Sequence, residues 1–365
     1  MFFRSCGSTL FFFLVLFLFS VSWGQEGITF GYLEGRISSI NERTAIVQLN
    51  DGAEVEADLG LPLPDEMGGT SLPAFKAGQQ VELYYSQSPD GGRQYVVSDW
   101  VRRPALIWLL GLFLVVSVVV ARWKGLRAFI STAASLLIVV MFIVPRILDG
   151  WNPVLVSLLG VGGILILAIY FVHGLNWSTT AALFGTFVAV IATMLLGIAF
   201  TEWAHLTGFG SDEAMMINAG SGQVNLKGLL LAGFLIGALG ALTDITIVQA
   251  SVIRELAHVN PNFTTLDLYT RGMRVGNDHV GSLVNTLVLA YTGAALPLFL
   301  LLSMNEFSLS RALNIEFVAS EVVHTLVGSI GLVLAVPLTT FVAALMFRGD
   351  KLPMADGELD HAHHH

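Results

Sequence analysis

An aspartate stands inside an apolar run. In Gly237-Ala-Leu-Gly-Ala-Leu-Thr-Asp-Ile-Thr-Ile-Val-Gln-Ala-Ser251 the carboxylate of Asp244 has no basic partner at its own depth, and ten residues separate it from Arg254. At 1.5 Å per residue that is about 15 Å of helix. A carboxylate so deep in a bilayer costs roughly 2.5–3.5 kcal/mol on insertion scales, so it faces protein or water and reads first as a proton or cation site. Gly233, Gly237, Gly240 and Asp244 follow at steps of four, three and four, which puts the aspartate at the end of a glycine face along which another helix can come close.

A second polar stripe lies further along the chain. Arg274 lies four residues before Asp278, and Ser282, Asn285 and Thr292 continue at helical spacing, with Gly276 and Gly281 as small neighbours. Asn285 is eleven residues in from Arg274, which predicts that it shares the depth of Asp244. Asp244, Asp278, Asn285, Thr243, Gln249, Ser282 and Arg274 are therefore the candidate transport or ion-binding set. Gly233, Gly237, Gly240, Gly276 and Gly281 are the candidate helix-packing set. The plainer reading is that the glycines only pack, that Ser and Asn are interhelical glue worth about 0.6 kcal/mol each, and that Asp278 is a helix N-terminal residue favoured by the macrodipole.

These stripes need spans to hold them. The 365 residues are 54% hydrophobic and 12% charged with a mean hydropathy of +0.72, the composition of a polytopic membrane protein. Residues 1–24 carry a basic start, an apolar core and a small-residue end, which predicts a signal peptide holding the only cysteine, Cys6. Residues 25–103 have β texture, with Thr44–Leu49, Val81–Tyr85 and Gln94–Val97 separated by turn residues, and predict a small OB or SH3-like barrel. Between Gly27 and Val101 eleven acidic residues face only Arg36, Arg43, Lys76 and Arg93, the wrong sign for nucleic acid.

From 104 to 347 the apolar runs predict seven spans, near 105–121, 128–144, 154–172, 179–199, 228–253, 280–302 and 322–346. With the barrel exported, the loops that become cytoplasmic hold Arg122, Lys124, Arg127, Arg254, Arg271, Arg274, Arg348 and Lys351, against Arg146, Lys227 and Arg311 outside. That asymmetry follows the positive-inside rule and leaves 348–365 as a cytoplasmic tail. The last six spans fit a 3+3 inverted repeat, and 255–277 predicts a surface helix followed by re-entry into the next span.

The run from Gly237 to Leu256, together with Arg271-Gly-Met-Arg-Val-Gly-Asn-Asp-His-Val-Gly-Ser-Leu-Val-Asn-Thr-Leu-Val-Leu-Ala-Tyr-Thr-Gly293, resembles the YibE/F family of bacterial multi-span membrane proteins. Gly240, Asp244, Gly272, Gly276, Asp278, Gly281, Asn285, Thr286, Tyr291 and Gly293 carry the resemblance, and Asn277 stands where the family pattern has a basic residue. It implies an exported β-rich segment joined to a helical bundle in the inner membrane, with permease-like activity.

Four histidines follow a glutamate by three residues, at Glu202/His205, Glu255/His258, Glu321/His324 and Glu358/His361. Such pairs face one way on a helix and are metal-ligand spacing in some bundles, but two pairs fall at external span ends and two in cytoplasmic segments, so no single site gathers them. No phosphate-binding loop, dinucleotide fingerprint or serine nucleophile turn occurs, so neither an enzyme nor a cofactor is expected. The expectation is a proton- or cation-coupled secondary transporter with its polar site between the fifth and sixth spans. The rival is a membrane scaffold or sensor that binds an extracytoplasmic protein through the barrel. Partners are membrane lipid, a small solute or ion, and either a second copy of the chain or that external protein.

Overall fold

The computed structural model describes residues 30–41, 43–60, 75–87, 92–221, 224–304 and 308–348. The expected signal segment, the tail beyond Arg348 and the Glu358/His361 pair lie outside the described residues. The chain divides into two compact units at Val120/Ala121.

The first unit holds five strands, β1 (Phe30–Ile40), β2 (Thr44–Leu49), β3 (Glu54–Asp58), β4 (Gln80–Gln87) and β5 (Arg93–Trp100), closed in the order β1-β2-β3-β5-β4. The β3–β5 pair is parallel, at Ala57↔Tyr95 and Asp58↔Val96, and all the others are antiparallel. This is the OB-type connectivity. Alternation fills the interior with Ile37, Ala45, Val47, Ala57, Val81, Leu83 and Val97, while Glu54, Glu56 and Asp58 point outward. The turn at Asp51-Gly52 is set by the Asp51 carboxylate, which accepts from Ala53 N at 3.0 Å, and by the positive φ of Gly52, +87°.

Helix α1 (Arg103–Ile138) starts in the first unit and ends in the second, and a π turn (Val139–Ile143) joins it to α2 (Val144–Leu148). A break at Arg122, with φ 49° and ψ −130°, interrupts α1. The second unit continues with α3 (Pro153–Ile166), a π turn (Leu167–Phe171), α4 (Trp177–Trp203), α5 (Asp212–Ser221), α6 (Leu226–Val259), α7 (Thr265–Ala294), α8 (Leu296–Met304), α9 (Leu309–Leu313) and α10 (Glu316–Met346). Among the described residues five helices are long and apolar enough to cross a membrane, or six if α7 and α8, bent by 58° at their junction, form one span. The longest of the five, Arg103–Leu148, takes in two of the seven segments anticipated from the sequence. Its 46 residues would run about 69 Å unbroken, twice a bilayer core, and the chain leaves helical geometry at Arg122.

Apolar packing gathers α3, α4, α6, α7 and α10 around Leu165, Val190, Leu235, Leu242, Ile245, Leu332 and Val336. The segment from 255 to 277 differs from its expectation. Helix α6 runs on to Val259, and Thr264 caps α7 by accepting from Asp267 N while the Asp267 carboxylate accepts from Thr264 N. With that reciprocal cap the surface helix and the next span become one uninterrupted helix.

Candidate functional site

Asn225 starts α6, its side chain accepting from Gly228 N at 3.0 Å. One side of the helix is buried along Leu235, Leu242, Ile245, Gln249 and Ile253. Gly233, Gly240 and Asp244 lie on the other side, all exposed, with open space where a Cβ on either glycine would stand. The Asp244 carboxylate accepts no hydrogen bond from the described residues. Its charged neighbour is His173, just beyond the π turn at Leu167–Phe171. A π turn holds one extra residue, which rotates the residues after it by roughly 100° about the axis. Partial desolvation holds the His173 imidazole below its ordinary pKa, Lys124 adds to that, and Asp244 pulls the other way.

Gln249 has a different setting. It is fully buried, and its Nε2 donates to the Gly272 carbonyl at 2.9 Å and to Thr340 Oγ1 at 2.7 Å, which ties α6 to both α7 and α10. Its Oε1 is buried without a partner. Helix α7 comes this close because of Gly276, where a Cβ would sit 2.5 Å from Val336 Cγ1 and 3.0 Å from Gln249 Oε1. Thr243 turns back on its own helix, donating to the Leu239 carbonyl at 2.8 Å, while Thr246 meets Thr186 of α4 at 2.5 Å between hydroxyls.

The stripe on α7 points away from these joints. Gly272 and Gly276 are buried against α6 and α10, and Arg274, Asp278, Gly281, Ser282, Asn285 and Thr292 are all exposed on the opposite side of the helix. The side chains of Asp278, Ser282 and Asn285 have no partner among the described residues. Asp244 and Asn285 therefore do not face each other across α6 and α7. The structure gathers Gln249 with Gly276, and Asp244 with His173. The histidine was missed in the sequence because it ends an apolar run, and a π turn leaves no mark on a 3.6-residue pattern.

The Glu-x-x-His pairs also separate. Glu202 is held by Lys227, 2.6 Å away, and no three His, Cys, Asp or Glu side chains converge on a point among the described residues. Glu321 instead lines a cavity of about 490 Å³ with Tyr291, Thr292, Ser303 and Thr325. Beside it His324 stacks on Phe234 at 4.7 Å and meets Tyr291 at 4.5 Å between ring centroids, with its Nε2 unpartnered. Both polar tips reach over Gly237, where a Cβ would lie 2.7 Å from His324 Nε2 and 2.7 Å from Tyr291 Oη.

The sequence model of the YibE/F-like protein family matches residues 109–349, two thirds of the chain and nearly all of its helical part. No curated protein and no solved structure matches. The chain belongs to the YibE/F-like family.

Proposed function

From that membership we propose a secondary transporter or permease of the bacterial inner membrane, coupled to protons or a cation. It has seven spans, the barrel outside the cytoplasm and the C-terminus inside. The observation that carries the reading is Asp244: a carboxylate on an apolar helix, exposed, without a hydrogen-bond donor, and with an imidazole as its charged neighbour. A structural aspartate at such a place would be held by donors, because leaving it unpaired costs more than any apolar replacement. An unpaired one is free to take up and release a proton or cation. No cofactor and no enzymatic step is proposed. The test is flux in reconstituted vesicles under an imposed proton or sodium gradient. Asp244→Asn abolishes gradient-driven movement while the chain still inserts and unfolds as the wild type does, and unchanged flux overturns the assignment.

One observation favours the second reading, a scaffold or sensor. On the barrel Phe30 and Tyr32 are exposed and their rings meet Tyr84 at 5.9 and 5.6 Å, an aromatic surface suited to an extracytoplasmic protein partner. In a scaffold Asp244→Asn would leave partner capture and phenotype intact.

A further inference from the structure

We propose that α7 is the surface through which two copies of this chain associate in the membrane, their polar stripes meeting face to face. The stripe runs from Arg274 to Thr292, eighteen residues or about 27 Å of helix, most of a bilayer core. Its carboxylate, hydroxyl and amide at Asp278, Ser282 and Asn285 have no partner among the described residues. The opposite side of the same helix is fully engaged, Gly272 against Ile253 and Thr340, Gly276 against Val336 and Gln249. Helix α7 is therefore not lying flat at a lipid surface with its polar side in water. It is docked on the bundle with its polar side turned outward, where hydrocarbon satisfies no hydrogen bond. The inference rests on α7 crossing the bilayer, and it does not depend on what Asp244 binds.

The stripe matches itself. Arg274 and Asp278 carry opposite charges one helical turn apart on one side, so a two-fold pair sets each guanidinium beside the Asp278 carboxylate of the partner subunit. Asn285 sits further along the same line, and an amide both donates and accepts, so it bonds its own copy across a symmetric axis. Gly281 and Gly293 have nothing within 4 Å of where a Cβ would be, which lets the two backbones approach closely. Lipid offers none of this complementarity. A different protein would need an opposed pattern of its own, and the chain already has one.

The test uses the full chain in its own membranes, with Cys6→Ser removing the one native thiol and a single cysteine placed by Ser282→Cys, Thr292→Cys or Leu287→Cys. Under mild oxidation the first two give a disulfide-linked product of twice the chain mass, and Leu287→Cys, on the packed side, gives none. Cross-linking that is absent at 282 and 292, equal at 287, or into a product of another mass overturns the proposal. Single-molecule photobleaching of the wild-type chain in a lipid bilayer gives a check free of substitutions: two steps support the pair, and one step defeats it.

Discussion

Gln249 on α6 and Asn285 on α7 are the same functional group on neighbouring helices, and the molecule treats them oppositely. Gln249 is fully buried and its amide nitrogen is committed to Gly272 and Thr340, whereas Asn285 is exposed without a partner. Residue type does not separate them. Position does: Gln249 shares its side of α6 with Leu242, Ile245 and Ile253, while Asn285 lies directly across α7 from Gly276. A polar residue in such a bundle is either a joint within one chain or a surface waiting for something outside it, and substitutions should tell the two apart.

The largest effect is expected at the joint. Gln249→Ala removes two hydrogen bonds, orphans the Gly272 carbonyl and opens a cavity where three helices meet. The expected loss is about 2–4 kcal/mol of bundle stability, summing a large-to-small cavity and unmade hydrogen bonds. Denaturant titration in mixed micelles, followed by tryptophan fluorescence, measures it. A loss below about 0.5 kcal/mol would mean that the joint is incidental.

Next comes the close approach that makes the joint possible. Gly276→Ala drives a methyl to within 2.5 Å of Val336 Cγ1, a distance that cannot persist, so α7 must move off α10 or Val336 must change rotamer. Overpacking of this kind costs about 1–3 kcal/mol. Gly281→Ala, on the open side of the same helix, has nothing to strike and should lower monomer stability by no more than a few tenths of a kcal/mol. If the two alanine variants unfold alike, the contrast between the two sides of α7 is wrong.

Much of this was legible in the residues. The alternation in Thr44–Leu49, Val81–Tyr85 and Gln94–Val97 marked β2, β4 and β5, and the acidic run Glu54–Asp58 hid β3 because only Val55 and Ala57 of it turn inward. Both polar stripes were visible as periodicities. Their directions were not, because a period of 3.6 says that residues share a side and says nothing about which neighbour that side meets. Pro261 suggested a break between a surface helix and a span, yet the Thr264/Asp267 cap starts a helix that runs on to Ala294.

The smallest effect on folding is expected at Asn285, and it is the most informative one. Asn285→Leu removes an exposed amide with no partner, so unfolding of the solubilised monomer should shift by less than about 0.5 kcal/mol, in contrast to Gln249→Ala. In a bilayer the same substitution acts on a different equilibrium. An interhelical amide contact there averages about 0.6 kcal/mol and reaches about 1.7, which corresponds to a change in self-association of roughly threefold to twentyfold. Förster transfer between donor- and acceptor-labelled chains, titrated against lipid, reads that shift directly. A variant that unfolds normally but dissociates at higher protein-to-lipid ratios than the wild type separates the outward amide from the inward one. A variant that loses folding stability as Gln249→Ala does, with association unchanged, would place Asn285 inside the fold and erase the distinction between the two helices.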